Sequence, residues 1–75
     1  MTETNDRLFI CLDNTGYEVS LERRKIYVAL PDDGAEKHGQ LRIIDESGED
    51  YLYPAERFVV ADLPQSVHRR VLESA

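Results

Sequence analysis

Apolar and polar positions alternate along this chain in short runs, each closed by turn-forming residues. Leu8-Phe9-Ile10-Cys11-Leu12 is an apolar run ended by Asp13-Asn14-Thr15-Gly16. Its brevity and its flank predict a strand rather than a helix. Tyr17-Glu18-Val19-Ser20-Leu21 alternates, with Tyr17, Val19 and Leu21 on one face. The charged corner Glu22-Arg23-Arg24-Lys25 reads as a solvated turn. Lys25-Ile26-Tyr27-Val28-Ala29-Leu30 is the strongest strand in the chain. Ile26, Val28 and Leu30 point toward the expected core, and Tyr27 and Ala29 point the other way.

Pro31 ends that strand, and a polar connection runs from Asp32 to Gly39. Ala35-Glu36-Lys37-His38 fits one helical turn there, closed by Gly39. Gln40-Leu41-Arg42-Ile43-Ile44-Asp45 and Glu49-Asp50-Tyr51-Leu52-Tyr53 pair as a hairpin, with Ser47-Gly48 supplying a left-handed residue at the turn. The hairpin gathers Asp45, Glu46, Glu49 and Asp50 into an acidic tip, which reads as an ordinary solvated turn. The run passes straight into Tyr-Leu-Tyr-Pro and lacks the twelve-residue oxygen pattern of a calcium loop. Pro54 cannot donate to a ladder, so it closes its strand. Ala55-Glu56-Arg57 then fits a single 3₁₀ turn and Phe58-Val59-Val60 a last strand. Pro64 to Leu72 predicts a C-terminal helix with proline in its first turn. Two to three turns are too few to hold alone, so this helix must dock.

Composition narrows the picture. Seventy-five residues with 41% hydrophobic content and no tryptophan make one domain with a thin core, burying roughly 60% of its unfolded surface. The division expected is a disordered lead-in over 1–7, a barrel over 8–62, and a helix with its tail over 63–75. A net charge of -6 argues against nucleic acid, which needs clustered Lys and Arg. The only basic candidates are Arg23, Arg24 and Lys25, with the distant Arg69 and Arg70. No segment has the ~20 apolar residues of a membrane span, and the polar N-terminus lacks a signal-peptide pattern. The lone Cys11 excludes an intrachain disulfide and fits a reducing, cytoplasmic setting as a small buried hydrophobe. His38 and His68 read as solvent-facing residues, and no cysteine–histidine cluster stands at metal-binding spacing.

The order of these elements resembles a known architecture. Leu21-Glu22-Arg23-Arg24-Lys25-Ile26-Tyr27-Val28-Ala29-Leu30 looks like the passage after the long first loop of an SH3 domain, where a leucine enters a charged corner and an alternating strand follows. Tyr53-Pro54-Ala55-Glu56-Arg57-Phe58-Val59 is similar to that family's closing Pro-x-x-x-aromatic-Val run. The resemblance covers residues 8 to 61 and implies an all-β, five-stranded SH3-like barrel, here with a short C-terminal helix. SH3 domains that take proline-rich peptides carry an Ala-Leu-Tyr-Asp-Tyr run in their first strand and a tryptophan opening the third. This chain has Phe9-Ile10-Cys11-Leu12-Asp13 and Gln40-Leu41 there, which removes a wall of the aromatic groove and argues against a proline-rich ligand. The chain also resembles a group of short bacterial proteins with a Lys-x-Tyr strand and an Asp-Glu-Ser-Gly-Glu-Asp-Tyr-Leu-Tyr-Pro run, a likeness that carries no activity with it.

Function is then weighed by class. A barrel this small fills its own interior with side chains, which leaves no substrate cavity. Ser20, Ser47, Ser66 and Ser74 have no His-Asp pattern beside them, so catalysis is not expected, and no cofactor or metal is implied. The leading expectation is a non-catalytic protein-interaction module whose partner is another protein or a second copy of the chain. Tyr17, Tyr27, Tyr51 and Tyr53 form its candidate surface, because a phenol joins an apolar ring to a polar tip. A structural homodimer, built through an exposed strand or the C-terminal helix, is the alternative, and nucleic-acid binding stands third.

Overall fold

The computed structural model describes residues 7–74; the expected lead-in lies outside the described residues except for Arg7, which opens the first strand. Five antiparallel strands form one curled sheet, a half-barrel, with a helix at the C-terminal end. They are β1 (Arg7–Cys11), β2 (Ile26–Leu30), β3 (Gln40–Ile44), β4 (Asp50–Pro54) and β5 (Phe58–Val60), in the spatial order β4-β3-β2-β1-β5. A short helix α1 (Asp33–Lys37) joins β2 to β3, and a 3₁₀ turn (Ala55–Arg57) joins β4 to β5. Helix α2 (Gln65–Ser74) follows β5.

Local chemistry accounts for each boundary. Asp32 caps α1 by accepting from the Ala35 N–H at 3.0 Å, and Gly39 leaves the helix at φ +73, a backbone conformation most side chains resist. The β3–β4 hairpin turns at Gly48, φ +84. Pairing Leu41 with Tyr53 and Ile43 with Tyr51 sets the register. Pro54 ends β4, and its ring fixes the entry into the 3₁₀ turn at φ -60. The last strand crosses back to lie beside the first, Phe9 opposite Val60 and Cys11 opposite Phe58.

The sheet buries both of its faces. On the inner face Phe9, Cys11, Leu21, Tyr27, Ala29, Leu41, Ile43, Tyr53 and Phe58 pack as one cluster. On the outer face Leu8, Val28 and Ala61 form a second cluster, against which Ile10, Ile26, Leu30, Ile44, Leu63, Val71 and Leu72 pack. The alternation of β2 is as expected, but the side holding the main core is the reverse: Tyr27 and Ala29 are buried in it, whereas Val28 belongs to the outer cluster and Ile26 and Leu30 pack against that. Strand periodicity fixes which residues share a face and cannot say which face is inside when the other is also covered.

The stretch 17–21 is not a strand. Backbone turns close it instead, with the Tyr17 N–H donating to Asn14 O at 2.8 Å and the Leu21 N–H to Tyr17 O at 2.8 Å. Leu21 is driven into the core while Val19 stands 98% exposed, so the two do not share a face. Arg24 sits at φ 70, which brings its N–H to Cys11 O at 2.7 Å. That bond ties the end of the long first loop back onto β1.

Replacing Ile43, fully buried between β2 and β4, by alanine is expected to lower the unfolding free energy by about 2–5 kcal/mol. Val19→Ala should change it by less than about 0.5 kcal/mol. Urea denaturation measures both, and equal costs would contradict this placement of the core.

Candidate functional site

The four tyrosines separate into three environments. Tyr27 and Tyr53 are each 4% exposed and belong to the inner core, which corrects the expectation that they stand at a surface. Tyr17 is half-buried and packs edge-on against Tyr53, ring centres 5.0 Å apart. Tyr51 is 51% exposed on the edge strand β4, beside the exposed Leu52. Tyr53 and Tyr51 share one face of β4, opposite Leu41 and Ile43, but the Tyr53 ring is covered by Tyr17 and Phe58. Tyr51, nearer the hairpin tip, has no such cover.

The buried phenols serve a polar cluster at one end of the barrel. Tyr27 donates to Glu46 Oε2 at 2.5 Å and accepts the Glu22 N–H at 2.7 Å. Lys25 Nζ lies 2.6 Å from the same Glu46 oxygen and 3.5 Å from Glu22 Oε2. Tyr53 donates to Asp45 Oδ2 at 2.6 Å, and its oxygen is 2.9 Å from Ser20 Oγ. The single phenolic proton is engaged by the carboxylate, so the serine hydroxyl is the donor in that second contact. Glu46 N–H donates to Ser20 O at 3.0 Å. The long first loop, with Ser20 and Glu22, is thereby fastened to the hairpin turn, with Asp45 and Glu46, through two phenols rooted in β2 and β4.

Asp45 is buried, not solvated as the acidic tip suggested. Its Oδ1 accepts from Ser47 N at 2.9 Å and Ser47 Oγ at 2.5 Å. Burial raises its pKa, but the bonds from Ser47 and Tyr53 outweigh burial and hold the carboxyl below its ordinary value. Glu46 is also held low, chiefly by Lys25 and then by Tyr27. Burial, followed by the adjoining carboxylates, pushes both phenols above the usual tyrosine value. Such groups stay fixed in one protonation state near neutrality, which suits fastening rather than proton transfer.

A second fastening closes the opposite flank. The Arg57 guanidinium lies 5.4 Å over the Tyr17 ring, donates to Thr15 O at 2.8 Å and sits 3.5 Å from Asp13 Oδ1. Its position in the 3₁₀ turn covers the surface between the first loop and β5. On the outer face Arg42 Nε meets Asp32 at 2.8 Å and its Nη1 meets Asp50 at 2.9 Å. Cys11 is fully buried, and burial raises its thiol pKa, so the thiolate is disfavoured.

Beyond the barrel interior, a cleft of about 660 Å³ opens on the outer face beside α2, lined by Ile26, Val28, Ile44 and Val71 with Lys25 and Glu46 at one end. Both histidines were expected in solvent. His38 is exposed, with Nδ1 2.8 Å from Gly34 O. His68 is half-buried, and its Nε2 has no hydrogen-bond partner. Among the described residues no His, Cys, Asp and Glu are grouped to hold a metal ion, and no helix is long and apolar enough to cross a membrane. No protein-family model, curated protein or solved structure matches the chain.

Sequence reasoning located the tyrosines but missed their partners. The one available signal was Asp45-x-Ser47, the spacing of a side chain that bonds the backbone two residues on. Nothing local connects Ser20 or Glu22 with a hairpin more than twenty positions later.

Asp45→Asn keeps the side chain's shape but removes the charge and one of the two acceptor oxygens that serve Ser47 and Tyr53, and should cost about 1–3 kcal/mol at pH 7. Because the folded-state pKa of Asp45 lies below its unfolded value, its contribution is complete above the unfolded value, about pH 4, and disappears as pH falls through the folded one. The wild-type unfolding free energy should therefore decline in acid, and the Asp45→Asn variant should decline less. Urea titrations at pH 7 and about pH 3 would show it; parallel declines would remove Asp45 from this role.

Proposed function

We propose that this chain is a non-catalytic protein-interaction module on an SH3-like barrel. Two features support the SH3-like assignment: the last strand lies beside the first in the order β4-β3-β2-β1-β5, and a 3₁₀ turn stands between β4 and β5. The interaction reading is carried by one observation, the exposed apolar pair Tyr51 and Leu52 on the edge strand β4. Edge strands usually protect themselves with charge, proline or a bulge along their length. Here Asp50 and Pro54 stand only at the two ends. An extended segment of another protein can add to such an edge through main-chain hydrogen bonds, with side-chain contacts giving selectivity.

The alternative of a structural homodimer draws support from the opposite edge, where Val59 and Val60 are exposed on β5. That strand has three residues, a short template for pairing. Nucleic-acid binding draws less support, since Lys25 is held between Glu22 and Glu46 and the chain is net acidic. A proline-rich ligand is also poorly supported, because Arg57 lies over Tyr17 on the flank between the first loop and the 3₁₀ turn.

Tyr51→Ser and Leu52→Ser should each leave stability within about 0.5 kcal/mol, whereas Tyr27→Ser should cost about 3–5 kcal/mol. Light scattering at two concentrations and capture of proteins by the immobilised chain are then compared with wild type. Loss of association in the folded Tyr51 and Leu52 variants supports the edge. Unchanged association in both would refute it.

A further inference from the structure

We infer that the outer face of the sheet is a seat for an amphipathic helix, held closed in the isolated chain by α2, and that its external occupant is a basic amphipathic helix of another protein. The inference rests on the reading of the chain as an interaction module, but on a different surface from the β4 edge. The structure itself displays the kind of element this face accepts. Across Leu8, Val28 and Ala61 lies α2, a ten-residue helix with its apolar residues on one side.

Three observations make α2 a loose occupant. Its contacts are partial: Leu63, Val71 and Leu72 are only half-buried, and Val67, one turn before Val71 on the same side, remains 43% exposed. The seat is incompletely filled, because the cleft of about 660 Å³ between Val71 and the sheet leaves Ile26, Val28 and Ile44 reachable. His68 places Nε2 in a buried position without a partner, and an unpaired buried polar atom weighs against the docked state. Ten residues also fall below the length at which a helix holds in water without packing. The apolar floor continues past the helix. Ile10 is opposite both Ile26 and Val59, and Val59 and Leu12 are 44% and 53% exposed. A longer helix would cover what α2 leaves open.

Charge selects among possible helices. Residues Arg7 to Asp62 contain twelve acidic and seven basic side chains, whereas the segment from Leu63 onward contains Arg69 and Arg70 against Glu73 alone. The cleft ends at the acidic hairpin turn, where Glu46 already neutralises Lys25, and Glu49 stands exposed beyond it next to the Arg42–Asp50 ion pair. A helix with a lysine- or arginine-rich polar face is therefore favoured over an acidic one, and the preference should weaken with salt.

The test uses the full chain and a fluorescein-labelled Leu/Lys amphipathic helix of about 18 residues, with a Leu/Glu helix of the same pattern as control. In one variant, Ile44→Cys with Val71→Cys, a flexible bis-maleimide pins α2 to its seat; Cys11, fully buried, stays unlabelled. In a second, Leu72→Ser loosens α2. Fluorescence anisotropy should show the Leu/Lys helix binding at least about tenfold more weakly to the pinned chain than to the unpinned double variant. It should bind more tightly to Leu72→Ser than to wild type, and at least about tenfold more tightly than the Leu/Glu helix does. Amide shifts should concentrate at Ile26, Val28 and Ile44. Should Leu72→Ser fail to fold, the pinned and unpinned comparison still decides. Equal binding to pinned and unpinned chains, equal binding of the two helices, or no binding at all would overturn the proposal. Dimerisation of Leu72→Ser without peptide would overturn it too, by giving the seat to a second copy's α2. Tyr51→Ser should bind the helix like wild type, so failure here leaves the β4 edge standing, and failure there leaves the seat standing.

Discussion

Two phenol–carboxylate contacts, Tyr27 to Glu46 and Tyr53 to Asp45, are the constraint on which the remainder of the barrel depends. Each tyrosine threads its ring through the inner core and delivers its hydroxyl to the barrel's open end. The same side chain therefore contributes apolar burial and a directed hydrogen bond, an economical use of space in a chain without tryptophan. The contacts also decide the path of the first loop. Without Ser20 and Glu22 on the other side of these hydroxyls, the loop would lose its main anchors, and Leu21 would lose its reason to turn into the core. Because charged acceptors strengthen such bonds, the cluster carries more of the fold's specificity than its few atoms suggest.

The outer face obeys a different logic. A half-barrel this small cannot gather enough apolar surface inside, so it uses both sides of β1 and β2. The inner side is sealed by elements of the sheet, whereas the outer side relies on the half-buried residues of a short helix. Stability and accessibility are thus separated across a single sheet.

Much of the fold is legible in the sequence, and the residues show why. Asp32, Gly39, Gly48 and Pro54 each act on backbone within a few positions, so the helix cap, the hairpin turn and the 3₁₀ turn are readable one at a time. Alternation alone places Tyr27 and Ala29 on the wrong side because it is symmetric until the occupant of each face is known, and α2 lies more than thirty positions away. Asp45 and Ser20 were illegible for a related reason. Their burial is caused by Tyr53, whose direction follows from its register against Leu41. Tyr51, the exposed member of the candidate surface, becomes distinguishable from Tyr53 only when Phe58 and Tyr17 pack against the latter.

The neighbouring of β1 and β5 has a further consequence for the order in which the chain becomes a protein. Phe9 and Val60 are opposite each other in the sheet although they are nearly the whole barrel apart in sequence. The β2–β3–β4 meander can assemble from local contacts, but β1 has an unsatisfied edge until β5 arrives. On a growing nascent chain, the barrel therefore remains open until its last strand has emerged from the ribosome. Closing that long loop is an entropic step that contacts within the meander cannot replace. During that interval Phe9 and Cys11 lack Phe58 as a cover, and the earliest part of the sequence is the last to be protected.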